Sequence, residues 1–221
     1  MAGGSFGLRP VRRLDGTAWN GATVTCLIGS DIATDLFVGD PVINTTAGAA
    51  QLGVTANYLL TGGIDNMEGG GAYPVVTIAT AASTNRIYGV IVGFEANRSN
   101  LGVNYGAAST VRIARVALAD PYTVFEVCGD GAGTPLTLAD VGRTVSLVAT
   151  AGGSTSTGYS GWDINDDTNT TTTLQCLIVG VSNKINNIAK VNSSTVTTDK
   201  AVWEVVVAQP SVFPLQFGLG V

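Results

Sequence analysis

Glycine clusters separate short β-branched segments along this 221-residue chain, and this pattern limits the folds that the chain can adopt. The clusters recur at residues 62–63, 69–71, 129–133 and 152–153, and the segments between them are rich in Val, Ile, Thr and Leu. Such punctuation is typical of strands joined by turns. No stretch of a dozen residues has the i, i+3, i+4, i+7 apolar spacing of an amphipathic helix, and Thr137–Val141 supports at most one helical turn.

The segments between the clusters predict about eight strands. They are Thr23–Ile28, Val75–Ala82, Ile87–Phe94, Val111–Val116, Val124–Cys128, Thr144–Ala149, Leu174–Val181 and Val202–Ala208. Strands at this spacing indicate an all-β protein whose single domain, residues 16–208, is a β-barrel or a β-sandwich. A chain of this length buries a sizeable core without disulfides or a structural metal.

Two of the predicted strands are apolar on both faces. In Leu174–Val179 and in Val202–Val207, apolar side chains occupy alternate positions on each side of the strand. A strand that is apolar on both sides is covered on both sides. The second cover is either a loop of the same chain or a neighbouring subunit, and the sequence leaves both alternatives open.

Both ends of the chain are predicted to lie outside the β-domain. Residues 1–15 form an extended basic arm in this prediction, because three of the 11 basic residues fall there and the first acid is Asp15. A frayed, disordered terminus is the alternative. Residues 209–221 contain two prolines yet are mostly apolar, whereas a disordered tail is normally polar. This segment is therefore expected to strap across its own domain or a neighbour.

Composition excludes several classes of activity. The chain has no histidine, which removes Ser-His-Asp and Cys-His catalytic sites and most zinc and non-haem iron sites. The net charge of −5 argues against a general nucleic-acid binder. Charged residues make up 12% of the chain, about half the usual ~25%. Such a surface suits a protein covered by partner chains, and a Thr/Asn-rich surface that solvates itself is the alternative.

The cysteines and the first residues indicate where the protein is made. Cys26, Cys128 and Cys176 each lie in an apolar segment without CxxC spacing, which predicts buried thiols in a reducing cytoplasm. The first residues lack the apolar core of a signal peptide, and no apolar run of ~18 residues occurs. Neither secretion nor a membrane span is therefore expected.

Oxygen-bearing side chains alternate along Asp163–Asn169, as they do in the first half of a calcium-binding loop. Thr168 and Leu174, however, stand where an EF-hand requires Gly and a bidentate Glu. An Asx-rich turn is predicted, with an adventitious Ca²⁺ site as the alternative. The isolated acids Glu68 and Glu95 offer no carboxylate pair, so a glycosidase-like site is not supported. Neither a metal nor a cofactor is expected.

Several segments together resemble the small proteins that accompany the major capsid protein of tailed bacteriophages. These segments are Gly7–Gly16 (Gly-Leu-Arg-Pro-Val-Arg-Arg-Leu-Asp-Gly), Tyr88–Phe94, Ala107–Arg112 with the following Asp120-Pro121 and Val124–Glu126, Ala139–Gly142, and Gly158–Gly161 before a Thr-rich strand. They cover the N-terminus and roughly residues 85–180, and none is a catalytic signature. The resemblance implies a capsid decoration, or cement, protein: a homotrimer, made in the host cytoplasm, that binds the outside of an HK97-like head and clamps neighbouring capsid subunits.

A structural protein rather than an enzyme is therefore expected, with the major capsid protein and copies of itself as partners. Its predicted interface residues are the arginines Arg9, Arg12 and Arg13, which would pair with capsid carboxylates, the apolar Leu8, Val11 and Leu14, and the C-terminal Phe213, Leu215 and Phe217. Deleting residues 1–15 should then weaken shell binding and leave the fold intact. The alternative is a receptor- or carbohydrate-binding module of a phage tail or spike, with Trp19, Tyr159 and Trp162 as sugar-stacking aromatics.

Overall fold

In a computed structural model of the chain, the described residues are 4–45, 73–81, 86–97, 100–191 and 200–211. They form two five-stranded sheets and a two-stranded ribbon, which confirms the predicted all-β class. Helix within these ranges is limited to the α-helix Asn187–Val191 and the 3-10 turns Leu138–Asp140 and Asp166–Thr168. The predicted C-terminal strap, with Phe213, Leu215 and Phe217, lies outside the described residues.

Every neighbouring pair of strands within the sheets is antiparallel. Sheet 1 has the order β1-β7-β12-β11-β8, sheet 2 has the order β2-β6-β5-β3-β4, and β10 pairs with β9. The strands are β1 Arg9–Arg13, β2 Val24–Ile28, β3 Pro41–Asn44, β4 Val76–Ile78, β5 Gly89–Phe94, β6 Arg112–Leu118, β7 Thr123–Cys128, β8 Thr144–Val145, β9 Leu147–Ala149, β10 Trp162–Ile164, β11 Cys176–Val181 and β12 Val202–Val207.

Sheet 2 curls until its two edge strands meet. The Leu27 amide on β2 donates to the Pro74 carbonyl at 2.9 Å, and Leu27 forms a parallel bridge with Val75 beside β4. Alternate residues of all five strands then share one enclosed core. Its members are Cys26, Ile28, Val42, Val76, Ile91, Ala114 and Val116, with Ile32 and Leu36 added by the β2–β3 loop. Sheet 2 is thus a small barrel, as the alternation of its strands allows.

The main core lies between the outer face of this barrel and one face of sheet 1, as in a sandwich. Sheet 1 contributes Phe125, Val127, Cys176, Ile178, Trp203, Val205 and Val207, and the barrel contributes Val90, Ala117 and Ala119. Burying large apolar side chains such as these stabilises the fold by about 1.5–3 kcal/mol each. The three cysteines are buried and none forms a disulfide, as expected.

The strands that are apolar on both faces are largely covered by the chain itself. On β12, Val206 lies on the face opposite Trp203 and is only 3% exposed in the isolated chain. Strands β5 and β6 bury one face in the barrel and the other against sheet 1. A neighbouring subunit is therefore not required at these positions, although Leu177 and Val179 on β11 remain half-buried.

The prediction of a separate N-terminal arm is wrong for the residues that form β1. Arg9–Arg13 pairs with β7 at the edge of sheet 1, and the Leu14 amide continues the ladder to the Tyr122 carbonyl at 2.8 Å. Leu8 is 1% exposed and belongs to the main core. Hydrogen bonds to the edge of β7 and the burial of Leu8 in the main core order this segment. Its glycines and arginines, considered alone, indicate flexibility.

No helix among the described residues has the length and hydropathy needed to cross a membrane.

Candidate interaction surface

Two glutamates face each other on neighbouring strands of sheet 1. Glu126 on β7 and Glu204 on β12 occupy directly paired positions. Like charges at paired positions destabilise a sheet unless cations offset them. Here Arg9 and Lys184 approach Glu126 at 2.5 and 2.9 Å, and Arg12 approaches Glu204 at 2.6 Å. These five side chains form the glutamate-pair network.

The network is closed by contacts within the chain. Burial acts to raise the pKa of Glu126, but hydrogen bonds from Ser182, Lys184 and Arg9 outweigh it, so the pKa lies below its ordinary value of 4.5. The Ser182 hydroxyl donates to Glu126 Oε1 at 2.5 Å. The ring of Phe6 lies 5.3 Å from the Arg9 guanidinium and 4.9 Å from the Lys184 ammonium, within cation–π range.

The Glu126→Gln substitution is expected to destabilise the protein by about 1–3 kcal/mol at pH 7, because glutamine cannot balance two cations. The depressed pKa means that this stabilisation is present above pH 4.5 and is lost as pH falls through the folded-state pKa. The difference between the two proteins should therefore shrink towards pH 3 in urea unfolding. The matched control is Glu95→Gln, which removes an exposed pair with Arg115 and should cost about 0–1 kcal/mol. A pH-independent cost for Glu126→Gln would contradict this account.

The predicted interface arginines thus already have acidic partners in their own chain. Arg13 completes the set, since its guanidinium lies 3.4 Å from the Asp120 carboxylate and 5.7 Å from the Tyr122 ring centre. This removes the reason for expecting capsid carboxylates to neutralise Arg9, Arg12 and Arg13. Parity along the strand correctly predicts that Glu204 lies on the face opposite Trp203, but no sequence signal identified Glu126 or Lys184 as partners.

The apolar residues predicted for the interface have different environments. Leu8 is buried in the core and Val11 is half-buried, whereas Leu14 is 44% exposed. Leu14 lies beside Tyr122, which is 57% exposed, because the ladder between β1 and β7 continues through these two residues. Leu14 and Tyr122 form the first apolar patch.

A second apolar patch lies on the loop that joins β11 to β12. Asn187 is buried and closes this loop by donating to the carbonyls of Ser182 and Val202 at 2.8 and 2.7 Å. It also accepts a hydrogen bond from the Val202 amide at 2.8 Å. The loop so held carries Ile185, which is 94% exposed, and the exposed Ile188. Sequence analysis missed this patch, because a lone isoleucine in a polar segment gives no sign of its exposure.

The aromatic residues of the carbohydrate-binding alternative do not form an exposed platform. Trp162 is buried in the main core and Trp19 packs against it, while Tyr159 is exposed. Stacking on a sugar requires accessible ring faces, so this set of three lacks the arrangement that the alternative needs.

The remaining sequence motifs are turns. The Asn165 side chain accepts a hydrogen bond from the Asp167 amide at 2.9 Å, which confirms the predicted Asx turn. At Thr137–Val141 the Thr137 amide donates to Asp140 at 2.7 Å, and the segment forms the single turn expected. Across the described ranges, no group of three or more acidic or cysteine side chains is arranged to hold a metal ion. Glu68 lies outside those ranges.

Comparison with known proteins returns no significant match to a family model, a curated protein or a solved structure. The resemblance to capsid decoration proteins accordingly remains a prediction from the sequence segments named above.

Proposed function

We propose that this protein is a structural component of a bacteriophage virion that binds the outside of the head and clamps neighbouring capsid subunits. The observation that carries the proposal is the contrast, on sheet 1 and the loops beside it, between charges paired within the chain and exposed apolar side chains. Each charged side chain of the glutamate-pair network is paired with an opposite charge within the chain. The side chains of the two apolar patches stay exposed among the described residues, with the Arg13 guanidinium over the Tyr122 ring.

This division suits a surface that meets another protein. The cores of protein interfaces are depleted in charged residues and enriched in aromatic and apolar ones. Both patches lie on backbone that is held by hydrogen bonds, so little conformational entropy is lost when a partner covers them. Weak contacts repeated over a shell, and multiplied threefold by self-association as a trimer, would add up through avidity.

Co-sedimentation with undecorated capsid shells, before and after expansion, tests the proposal. We expect saturable binding to the expanded shell, with a stoichiometry set by the capsomers. Binding stabilises the shell by mass action, so decorated shells should also resist heat better than bare ones. Absence of binding to both forms of shell would overturn the proposal.

Charge placed in the apolar patches should weaken this binding without unfolding the protein. For Leu14→Asp with Tyr122→Asp, and separately for Ile185→Asp, we expect at least a tenfold loss in affinity, the size typical of an interface hot spot. Ser156→Asp, an exposed position in the loop between β9 and β10, serves as the matched control and should bind normally. Full binding by both patch variants would show that the capsid contacts lie elsewhere.

A further inference from the structure

Two loops beside the main core hold each other through their carboxylates. The loop after β7 spans residues 129–134, and the loop after β10 spans residues 165–168. The Gly131 amide donates to Asp166 Oδ2 at 3.1 Å, and the Thr134 amide donates to Asp167 Oδ1 at 2.7 Å. In return, the Asp166 amide donates to Asp130 Oδ1 at 3.2 Å. These two segments are called the loop pair.

The glycines of the first loop allow this close approach. A Cβ atom on Gly129 would lie 2.6 Å from Asp166 Oδ1. A Cβ atom on Gly133 would overlap the Asp167 carboxylate, and Gly133 also has a positive φ of 58°. The glycine cluster in the sequence therefore serves to bring two carboxylates against a backbone that carries no side chain.

Asp166 is in an unfavourable place for a negative charge. It is 5% exposed, and its Oδ1 atom has no hydrogen-bond partner among the described residues. The carboxylates of Asp130, Asp163 and Asp167 all act on it as like charges. Lys200 is engaged by Asp163, with 2.5 Å between its Nζ and Asp163 Oδ2. Burying a carboxylate oxygen without a donor and near like charges strongly favours the neutral acid.

We propose that Asp166 acts as a proton-operated latch, which carries a proton while the loop pair is closed and loosens the pair when it ionises. Titratable groups face Asp166 from three elements. Asp130 lies on the first loop, Asp167 on the second loop and Asp163 on β10. Lys200, the nearby cation, is paired with Asp163. Burial, and then repulsion from Asp130, raise the pKa of Asp166 to about 7, against the opposing hydrogen bond from Gly131. The hold on the loop pair is therefore complete below the ordinary aspartate pKa of 3.8 and is lost as pH rises through about 7. It does not depend on the proposed capsid role.

The decisive measurement is a carbon-13 NMR titration of the Asp166 side-chain carboxyl in the full-length protein. A midpoint close to 7 is expected, and a midpoint below 5 would overturn the proposal. Site-resolved detection is needed because burial also raises the pKa of Asp40, to about 6. Asp130→Asn should lower the Asp166 midpoint by removing a like charge, and an unchanged midpoint would contradict the arrangement of charges given above.

Amide hydrogen exchange tests the mechanical half of the proposal. Between pH 6 and pH 8, protection factors at Gly131 and Thr134 should fall by about tenfold and then level off, since each pH unit between the pKa of the open state and the higher pKa of the closed state favours opening by up to that factor. In Asp166→Asn, which cannot ionise, they should stay constant over this range. Unchanged protection in the unsubstituted protein would overturn the latch. A rise in melting temperature on addition of Ca²⁺ at pH 8, abolished by Asp166→Asn, would also overturn it. A bound cation, and not a proton, would then neutralise Asp166.

Discussion

Replacing Leu8 by Ala is expected to lower the free energy of unfolding by about 2–5 kcal/mol, the range for truncating a buried leucine. Leu8 is 1% exposed and packs in the main core immediately before β1. The cost combines the lost burial of the isobutyl group with the cavity left between the barrel and sheet 1. Chemical denaturation followed by the fluorescence of buried Trp203 would measure it.

Leu14→Ala is the matched control, because it removes the same side chain from the other end of β1. Leu14 is exposed, so its truncation should change the unfolding free energy by about 0.5 kcal/mol or less. Equal costs at the two positions would mean that the N-terminal segment is not part of the folded core.

Deleting residues 1–15 is now expected to destabilise the protein, since it also leaves Glu126 and Glu204 opposite each other without Arg9 and Arg12.

Gly7→Ala should be at least as damaging, with an expected loss of about 3 kcal/mol or more. Gly7 has a φ of +72°, and a Cβ atom there would overlap the Gly39 carbonyl and lie 2.6 Å from Ser160 Cβ. The carbonyl of Gly39 accepts a hydrogen bond from the Leu8 amide at 2.9 Å. The two backbone segments therefore cannot move apart to make room for a Cβ atom without losing that bond. Urea unfolding of the purified variant measures the loss.

Gly16→Ala separates the two causes of that loss. Gly16 has a similar φ of +87°, but nothing lies within 4 Å of the Cβ position. Only the conformational cost of alanine in the left-handed region remains, which is about 1–2 kcal/mol. If Gly7→Ala cost no more than Gly16→Ala, the steric part of the argument would be refuted.

Because the N-terminal segment is part of sheet 1, deleting it is not a suitable test of the proposed capsid binding. A truncated chain would lose binding for the trivial reason that sheet 1 is damaged. Exposed positions such as Leu14, Tyr122 and Ile185 offer cleaner tests, because their side chains can be changed without disturbing the main core.

All eight strand segments predicted from the sequence overlap strands of the fold. The strand prediction was correct because runs of β-branched residues favour extended backbone, and the alternation of apolar and polar residues indicates which side of a strand is buried. Strand β1 was missed because its arginines and neighbouring glycines resemble those of a flexible terminus. Strands β3 and β10 were missed because each is short and adjoins turn-forming residues.

The features that could be predicted from the sequence are local: the all-β class, the positions of most strands, the buried thiols and the Asx turn at Asn165. Each follows from residues close together in the chain. The tertiary structure decided which strands are neighbours, and with them every long-range pair. Arg9 contacts Glu126, 117 positions away in the sequence, because β1 and β7 are neighbours in sheet 1. Asp166 contacts Gly131, 35 positions away, because the loops after β7 and β10 pack together. Such pairings depend on the relative energies of whole sheet arrangements, and no short stretch of residues contains that information.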